Sequence, residues 1–143
     1  MQIYWLRHPP VQVGSHVCYG RSDVVLIDQW QQSLSRISPY LADFSSTIVY
    51  SSPLQRCRLS AQQFSDQVIY DDCLLELDFG DWEGMRWDQI PPNELSYWSA
   101  DFVHRAPPKG ETYHQLSHRV NHFLNGLLSQ DQTLETDILI VTH

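Results

Sequence analysis

Positive charge is scarce in this sequence of 143 residues, which has 9 Lys and Arg side chains against 17 Asp and Glu. The formal net charge of −8 argues against a nucleic-acid interface, because such an interface needs a basic stripe or patch. Lys109 is the single lysine, so arginines carry almost all of the positive charge. An acidic surface repels anions, and any site for an anionic ligand must therefore gather arginines locally.

Long apolar runs are also absent, and no stretch approaches the roughly 20 apolar residues of a membrane helix. The first residues contain no apolar run typical of a signal peptide. The three cysteines, Cys18, Cys57 and Cys73, form no Cys-x-x-Cys pair, and their odd number indicates reduced thiols. We therefore expect a cytoplasmic protein that does not bind a membrane.

Apolar extended segments alternate with helical patterns, which predicts an α/β fold with a mainly parallel sheet. The hydrophobic content of 42% is enough for a core, and we expect one domain over residues 1–143. Pro39 is expected to interrupt the first helix near Ser38. Ser52 is the expected N-cap of the second helix, with Pro53 at its first position. The predicted strands are residues 3–7, 47–50, 67–70 and 137–141, and the predicted helices are residues 27–44, 53–65 and 112–128, with a shorter one between 91 and 108.

Three of the predicted strands end in side chains that can bind an anion or act as a nucleophile toward it. Arg7 and His8 close the first strand, two serines close the second, and Thr142 and His143 close the last. Ligands of parallel α/β sheets bind beyond the carboxyl ends of the strands, so we expect these groups to converge there. Arg56 lies one turn into the second predicted helix, whose N-terminus attracts anions.

This combination of residue types predicts chemistry on a phosphate group. Arg7 and Arg56 are expected to bind the phosphoryl oxygens with their guanidinium forks. A neutral His8 imidazole is the candidate nucleophile, and His143 is the candidate for stabilising the transferred group. Glu76, in a loop among apolar residues, is the candidate acid that protonates the leaving alcohol.

Five short motifs occur in order along the whole chain: Leu-Arg-His-Pro at 6–9, Ser-Pro-Leu-Gln-Arg-Cys-Arg-Leu-Ser-Ala at 52–61, Glu-Leu-Asp-Phe-Gly at 76–80, Gly-Glu-Thr at 110–112 and Val-Thr-His at 141–143. Together they resemble the histidine phosphatase superfamily, which includes the cofactor-dependent phosphoglycerate mutases. The resemblance implies a three-layer α/β/α fold and hydrolysis of a small phosphate monoester without a metal or other cofactor. It implies that His8 becomes phosphorylated. Arg7, Arg56 and His143 then complete the phosphate pocket. Glu76 donates the proton and later activates water.

Two segments resemble one branch of that superfamily, the α-ribazole-5′-phosphate phosphatases. They are Cys-Tyr-Gly-Arg-Ser-Asp at 18–23 and Phe-Gly-Asp-Trp-Glu-Gly at 79–84. The resemblance implies α-ribazole 5′-phosphate as the substrate, with Arg21 as a candidate contact and Trp82 as a candidate stacking partner for the aromatic base. A solvent-facing Arg21 and a Trp82 packed in the core are the alternatives. A broad-specificity phosphatase or a phosphoglycerate mutase-like enzyme is the alternative within the superfamily.

Two features depart from the superfamily pattern. Pro9 stands where a glycine usually follows the nucleophile, and this removes one backbone N–H. The chain stops at His143, where relatives continue with a further helix and strands. We therefore expect a fragment of a longer protein.

Other interpretations concern single residues and the class of function. His114, His118 and His122 have the spacing of metal ligands on a helix, but no partner completes a set, so a solvated helix face is expected instead. Asp81 and Glu83 are alternative candidates for the acid. A module that binds phosphate or a partner without catalysis is the alternative from another class. The sequence predicts no oligomeric state.

Overall fold

The structure is a computed structural model that describes residues 1–37, 47–129 and 136–143. In this part of the chain, four strands form one parallel sheet in the order β1-β4-β2-β3. The strands are β1 (Ile3–Arg7), β2 (Ile48–Ser51), β3 (Val68–Tyr70) and β4 (Ile138–Thr142). The four predicted strands are confirmed, with ends that differ by at most one residue.

Helices connect these strands. The longest begins after Thr112, whose side chain accepts a hydrogen bond from the backbone N–H of Gln115. In return, the Gln115 side chain accepts the backbone N–H of Thr112. Within the described residues, no helix is long and apolar enough to cross a membrane. The α-helices are α1 (Gln31–Ser35), α2 (Gln55–Ala61), α3 (Pro92–Ser99) and α4 (Tyr113–Leu128), and short 3-10 helices cover Asp72–Leu74, Gly80–Trp82 and Trp87–Gln89.

The first predicted helix was placed too early in the chain. The structure has α1 only from Gln31, because Gln29 adopts a left-handed backbone with φ of 58° and Ile27 donates its N–H to the carbonyl of Pro10. These contacts hold the chain before α1 in a non-helical path. The predicted interruption at Pro39 lies outside the described residues.

The predicted start of the second helix was also wrong. The backbone N–H of Ser52 donates to the carbonyl of Val141 at 3.0 Å, so Ser52 continues the pairing of β2 with β4 instead of capping a helix. Leu54 is the N-cap, with an extended φ of −62° and ψ of 139°, and α2 ends at Ala61. The hydroxyl of Ser52 contacts the imidazole of His143 and also accepts the backbone N–H of Leu54 at 3.4 Å.

β4 contributes to both faces of the core because it lies between β1 and β2 and its side chains alternate. On one face, Ile138 and Ile140 pack with Phe123 of α4. On the other face, Leu139 and Val141 pack with the buried side of α2. Helices cover both faces of the sheet, and the predicted three-layer α/β/α fold is confirmed.

A third hydrophobic cluster holds two loops against each other. Its buried members are Cys18, Trp82 and Ile90. A backbone bridge between Val17 and Arg86 joins the same two loops. This packing fixes the loops that contribute most of the walls of the site described below.

Replacing Ile140 by Ala tests the position of the core. Ile140 has no solvent exposure, so the truncation leaves a cavity in the middle of the sheet and should lower the free energy of unfolding by about 2–5 kcal/mol. Urea denaturation measures the loss. The matched control is Ile69→Ala on β3, where the side chain is 47% exposed and the expected loss is less than about 1 kcal/mol. Equal losses in the two variants would contradict the assignment of the core.

Candidate active site

His8 follows β1 directly, and its backbone N–H extends the pairing with β4 by donating to the carbonyl of Thr142 at 3.0 Å. Only 8% of its surface is exposed. Burial, opposed by the hydrogen bond to Pro9 and aided by the charges of Arg56 and Arg7, lowers the pKa of His8 to about 4. The imidazole is therefore neutral near pH 7.

One hydrogen bond assigns the tautomer of that neutral ring. Nδ1 of His8 lies 2.7 Å from the carbonyl oxygen of Pro9, and a carbonyl oxygen only accepts. The proton is therefore on Nδ1, and Nε2 carries a free lone pair. Pro9 replaces the usual glycine without disturbing this contact, because the carbonyl and not the N–H of that residue is used.

His143 lies next to His8, with the two ring centroids 5.3 Å apart in an edge-to-face arrangement. Nε of Arg56 donates to Nδ1 of His143 at 3.1 Å, so the proton of the neutral His143 ring is on Nε2, 2.9 Å from the hydroxyl of Ser52. Burial, the charge of Arg56 and the neighbouring His8 lower the pKa of His143 to about 2. The structure thus brings together two neutral imidazoles from opposite ends of the chain.

Arg56 has no solvent exposure and connects three segments of the chain. Besides its bond to His143, it donates to the carbonyls of Gly20 at 2.6 Å and Ser22 at 2.8 Å. The ring of Tyr19 lies over the guanidinium, with its centroid 5.5 Å away. Three of the five N–H groups of an arginine are therefore used within the protein. The expected binding of phosphoryl oxygens by the Arg56 guanidinium stays a prediction, because two of its N–H groups are not used by the loop carbonyls or by His143.

Glu83 holds the same loop from the opposite side. Its carboxylate accepts the backbone N–H groups of Gly20, Arg21, Ser22 and Phe79 at 2.9–3.1 Å, and also the hydroxyl of Ser22. Burial opposes its ionisation, but these hydrogen bonds together keep the pKa of Glu83 below its usual value. A carboxylate with this many donors is a poor proton donor, which removes Glu83 as the alternative acid.

Two neighbouring cavities open beside His8, and Arg7, His8 and Tyr19 line both of them. The first, which we call the Glu76 cavity, has a volume of about 250 Å³, and the second, the Pro9 cavity, has a volume of about 350 Å³. The Glu76 cavity is completed by Ser15, Val17, Glu76, Phe79 and Trp87, and the Pro9 cavity by Pro9, Pro10 and Val11. Arg7, His8 and Glu76 therefore share one cavity, whereas His143 and the fully buried Arg56 line neither of the two. Asp81, the other alternative acid, is paired with Lys109 at 3.1 Å and lines neither cavity.

Two predicted substrate contacts are not at these cavities. Trp82 is 1% exposed in the third hydrophobic cluster, and its indole N–H donates to Glu94 at 3.0 Å. Core packing is therefore the correct alternative for Trp82. Arg21 makes ion pairs with Asp78 at 3.7 Å and Glu111 at 3.6 Å and lines neither cavity.

The remaining motif residues have structural contacts. Glu111, of the Gly-Glu-Thr motif, forms two hydrogen bonds with Arg119 on α4 at 2.8 and 2.9 Å. Thr112 caps the helix, so this motif includes a helix start as well as an ion pair. Among the described residues, no group of three or more His, Cys, Asp and Glu side chains is arranged to hold a metal ion.

Comparison with known proteins decides the family. The profile of the Histidine phosphatase superfamily (branch 1) matches residues 3–143. The chain belongs to the histidine phosphatase superfamily. It is 30% identical to the adenosylcobalamin/alpha-ribazole phosphatase of Escherichia coli (strain K12), over all of this chain and 73% of that protein. The predicted family and enzyme class are thereby confirmed.

Two further similarities agree with that assignment. The crystal structure of the alpha-ribazole phosphatase from Shigella flexneri is 29% identical and superposes with a TM-score of 0.87, covering 100% of this chain and 74% of that one. A probable phosphoglycerate mutase of Erwinia tasmaniensis is 27% identical over all of this chain and 69% of that protein. This histidine phosphatase chain therefore corresponds to about three quarters of the length of the Escherichia coli and Shigella proteins.

Several residues of the site were missed at the level of sequence. Cys57 lies with its sulfur 3.5 Å from Nε2 of His143, and Tyr19 lines both cavities. Cys57 follows Arg56 within the second motif, which was the available signal for it. Ser52, one of the two serines expected at the end of the second strand, contacts His143. Trp87 lies outside the motif at 79–84 and lines the Glu76 cavity, whereas Trp82 of that motif does not.

The charge state of His8 is tested by titrating its ring signals in NMR spectra, assigned by their loss in His8→Asn. In the folded protein the ring should stay neutral down to about pH 4. The same ring in urea-unfolded protein should titrate near its ordinary value of about 6.5. Because the unfolded chain then takes up a proton that the folded one does not, the free energy of unfolding should fall as the pH drops from about 6.5 to about 4. A titration step near pH 6.5 in the folded protein would contradict the neutral state of His8.

Proposed function

We propose that this histidine phosphatase hydrolyses a small phosphate monoester through a phosphohistidine formed on Nε2 of His8. The observation that carries the proposal is the hydrogen bond from Nδ1 of His8 to the carbonyl of Pro9 at 2.7 Å. It leaves Nε2 unprotonated in a cavity that also contains a guanidinium, from Arg7, and a carboxyl group, from Glu76. Nucleophile, anion-binding group and proton donor are the three parts that this reaction needs.

The reaction proceeds in two displacements. In the first, Nε2 of His8 bonds to phosphorus while the bond from phosphorus to the alcohol oxygen breaks, and Glu76 gives its proton to that oxygen. In the second, the Glu76 carboxylate takes a proton from water, the water oxygen bonds to phosphorus, and the N–P bond breaks to release phosphate. Arg7 binds the phosphoryl oxygens. Arg56 and His143 act from beside His8, where the guanidinium charge stabilises the added negative charge.

The cavity walls favour an alcohol that carries an aromatic group, and α-ribazole 5′-phosphate is such an ester. Phe79 and Trp87 contact each other edge to face, with centroids 5.7 Å apart, and form an aromatic wall with Tyr19. Arg7 is the only cationic side chain among the described residues that line the two cavities. The carboxylate of phosphoglycerate would need another cation close by, so this lining favours α-ribazole 5′-phosphate. The names of the Escherichia coli and Shigella relatives support the same substrate.

Trapping the intermediate tests the reaction. Incubation with a radiolabelled phosphate monoester, followed by an alkaline quench, should give an acid-labile, alkali-stable phosphoprotein, and EDTA should not reduce its yield. His8→Ala should lose the label completely, because no other side chain in the cavity offers a free imidazole nitrogen. The matched control is His104→Ala, which removes an exposed histidine and should label like the wild type. Phosphate binding without labelling or turnover would instead favour the non-catalytic module, and a requirement for metal would overturn the mechanism.

Replacing Trp87 by Ala tests the substrate. The loss of an aromatic contact of about 0.5–1.5 kcal/mol should lower kcat/KM for α-ribazole 5′-phosphate by roughly 3- to 10-fold. The value for 3-phosphoglycerate should change by less than about twofold, because that substrate has no ring to stack. Trp5→Ala, which removes a half-exposed tryptophan from β1, is the control. A wild-type preference for 3-phosphoglycerate, or an equal loss for both substrates, would contradict the assignment.

A further inference from the structure

The segment that carries Glu76 is held by a group outside the five residues of the proposed reaction. Arg119, in the second turn of α4, donates to the carbonyl of Cys73 at 2.7 Å and to the carbonyl of Glu76 itself at 3.0 Å. Its side chain is 15% exposed, so these bonds are largely shielded from water. The Arg119 guanidinium therefore binds both ends of the segment from residue 73 to residue 76.

Glu111 orients that guanidinium. Its carboxylate accepts two hydrogen bonds from Arg119, at 2.8 and 2.9 Å, in the parallel geometry that fixes an arginine fork in one plane. The backbone N–H of Glu111 donates to the carbonyl of Asp78 at 2.8 Å, just beyond the segment that Arg119 holds. The pair connects α4 to both sides of Glu76.

The Glu76 side chain forms few hydrogen bonds of its own. In the described part of the chain, its one side-chain hydrogen bond is local, from the backbone N–H of Leu77 at 2.7 Å. The location of the carboxyl group in the cavity therefore depends on where the backbone at residue 76 is held. Misplacing a catalytic group by about 1 Å is enough to cost on the order of 100-fold in rate.

We propose that Arg119, oriented by Glu111, is a positioning residue that places the Glu76 carboxyl group at the oxygen of the leaving alcohol. This inference rests on the proposed function of Glu76 as the proton donor. Arg119 itself lines neither cavity. Its effect on the reaction should therefore appear only where proton donation matters.

Leaving-group dependence provides the test. The rate of phosphoenzyme formation is measured by rapid alkaline quench with two substrates. One is an alkyl phosphate, whose alkoxide needs a proton to depart. The other is para-nitrophenyl phosphate, whose phenolate is a weak base and departs without one. The variants are Arg119→Met, which keeps the apolar stem, Arg119→Lys, which keeps the charge, and Glu76→Gln.

Arg119→Met should slow phosphorylation by the alkyl phosphate by about 10- to 100-fold and by para-nitrophenyl phosphate by about twofold or less. Glu76→Gln should show the same selectivity with a larger factor. Arg119→Lys should fall between Arg119→Met and the wild type. Arg105→Met is the matched control, since Arg105 contacts Tyr97 and is not bonded to the Glu76 segment, and it should leave both rates unchanged.

The outcomes separate this inference from the proposed function. If Glu76→Gln slows phosphorylation by the alkyl phosphate selectively and Arg119→Met does not, the positioning role of Arg119 alone is overturned. A Glu76→Gln variant with no selective loss would overturn the proton donor and, with it, the inference. If circular dichroism shows that Arg119→Met is unfolded, Arg119→Lys carries the test. Equal loss for both substrates in Arg119→Lys, or failure of that charge-preserving variant to fold, would assign Arg119 a purely structural role.

Discussion

The fully buried guanidinium of Arg56 is the contact on which the arrangement of this site depends. A charge without solvent exposure is tolerated only when it is well hydrogen-bonded, and here each of the three guanidinium nitrogens donates once, to the carbonyls of Gly20 and Ser22 and to His143. The N–H groups of the same loop bind the carboxylate of Glu83. The loop at residues 20–22 therefore lies between the positive charge of Arg56 and the negative charge of Glu83. Gly20 is required there, because a Cβ would lie 1.8 Å from the carbonyl oxygen of Leu77.

This arrangement explains how an acidic protein can hold the neutral His8 that the proposed function requires. The neutral state of His8 follows from burial and from neighbouring guanidinium charges, and the same charges attract the anionic substrate. Arg7 is exposed at the cavities, whereas Arg56 acts from within. The two arginines thus have different positions, one accessible to the phosphoryl oxygens and one that organises the groups behind the nucleophile.

The parts of the fold that follow from periodicity could be predicted from sequence. The four strands, the helix after Thr112 and the convergence of strand ends all depend on local patterns and on the handedness of parallel sheets. The start of α2 could not, because Ser52 has both the chemistry of a cap and the option of pairing with β4. Arg56 donates to backbone carbonyls remote in sequence, which no local pattern indicates. Trp82 of the motif at 79–84 packs in the core, whereas Trp87 lines the Glu76 cavity, and tertiary packing decides that difference.

The account depends most directly on which nitrogen attacks phosphorus. NMR spectroscopy of the phosphoprotein, kept at alkaline pH to preserve the N–P bond, locates the phosphorus on one ring nitrogen of one histidine. The hydrogen bond from Nδ1 to Pro9 predicts that it is attached to Nε2 of His8. Attachment to Nδ1 of His8, or to either nitrogen of His143, would contradict the assignment of nucleophile and tautomer on which the mechanism rests.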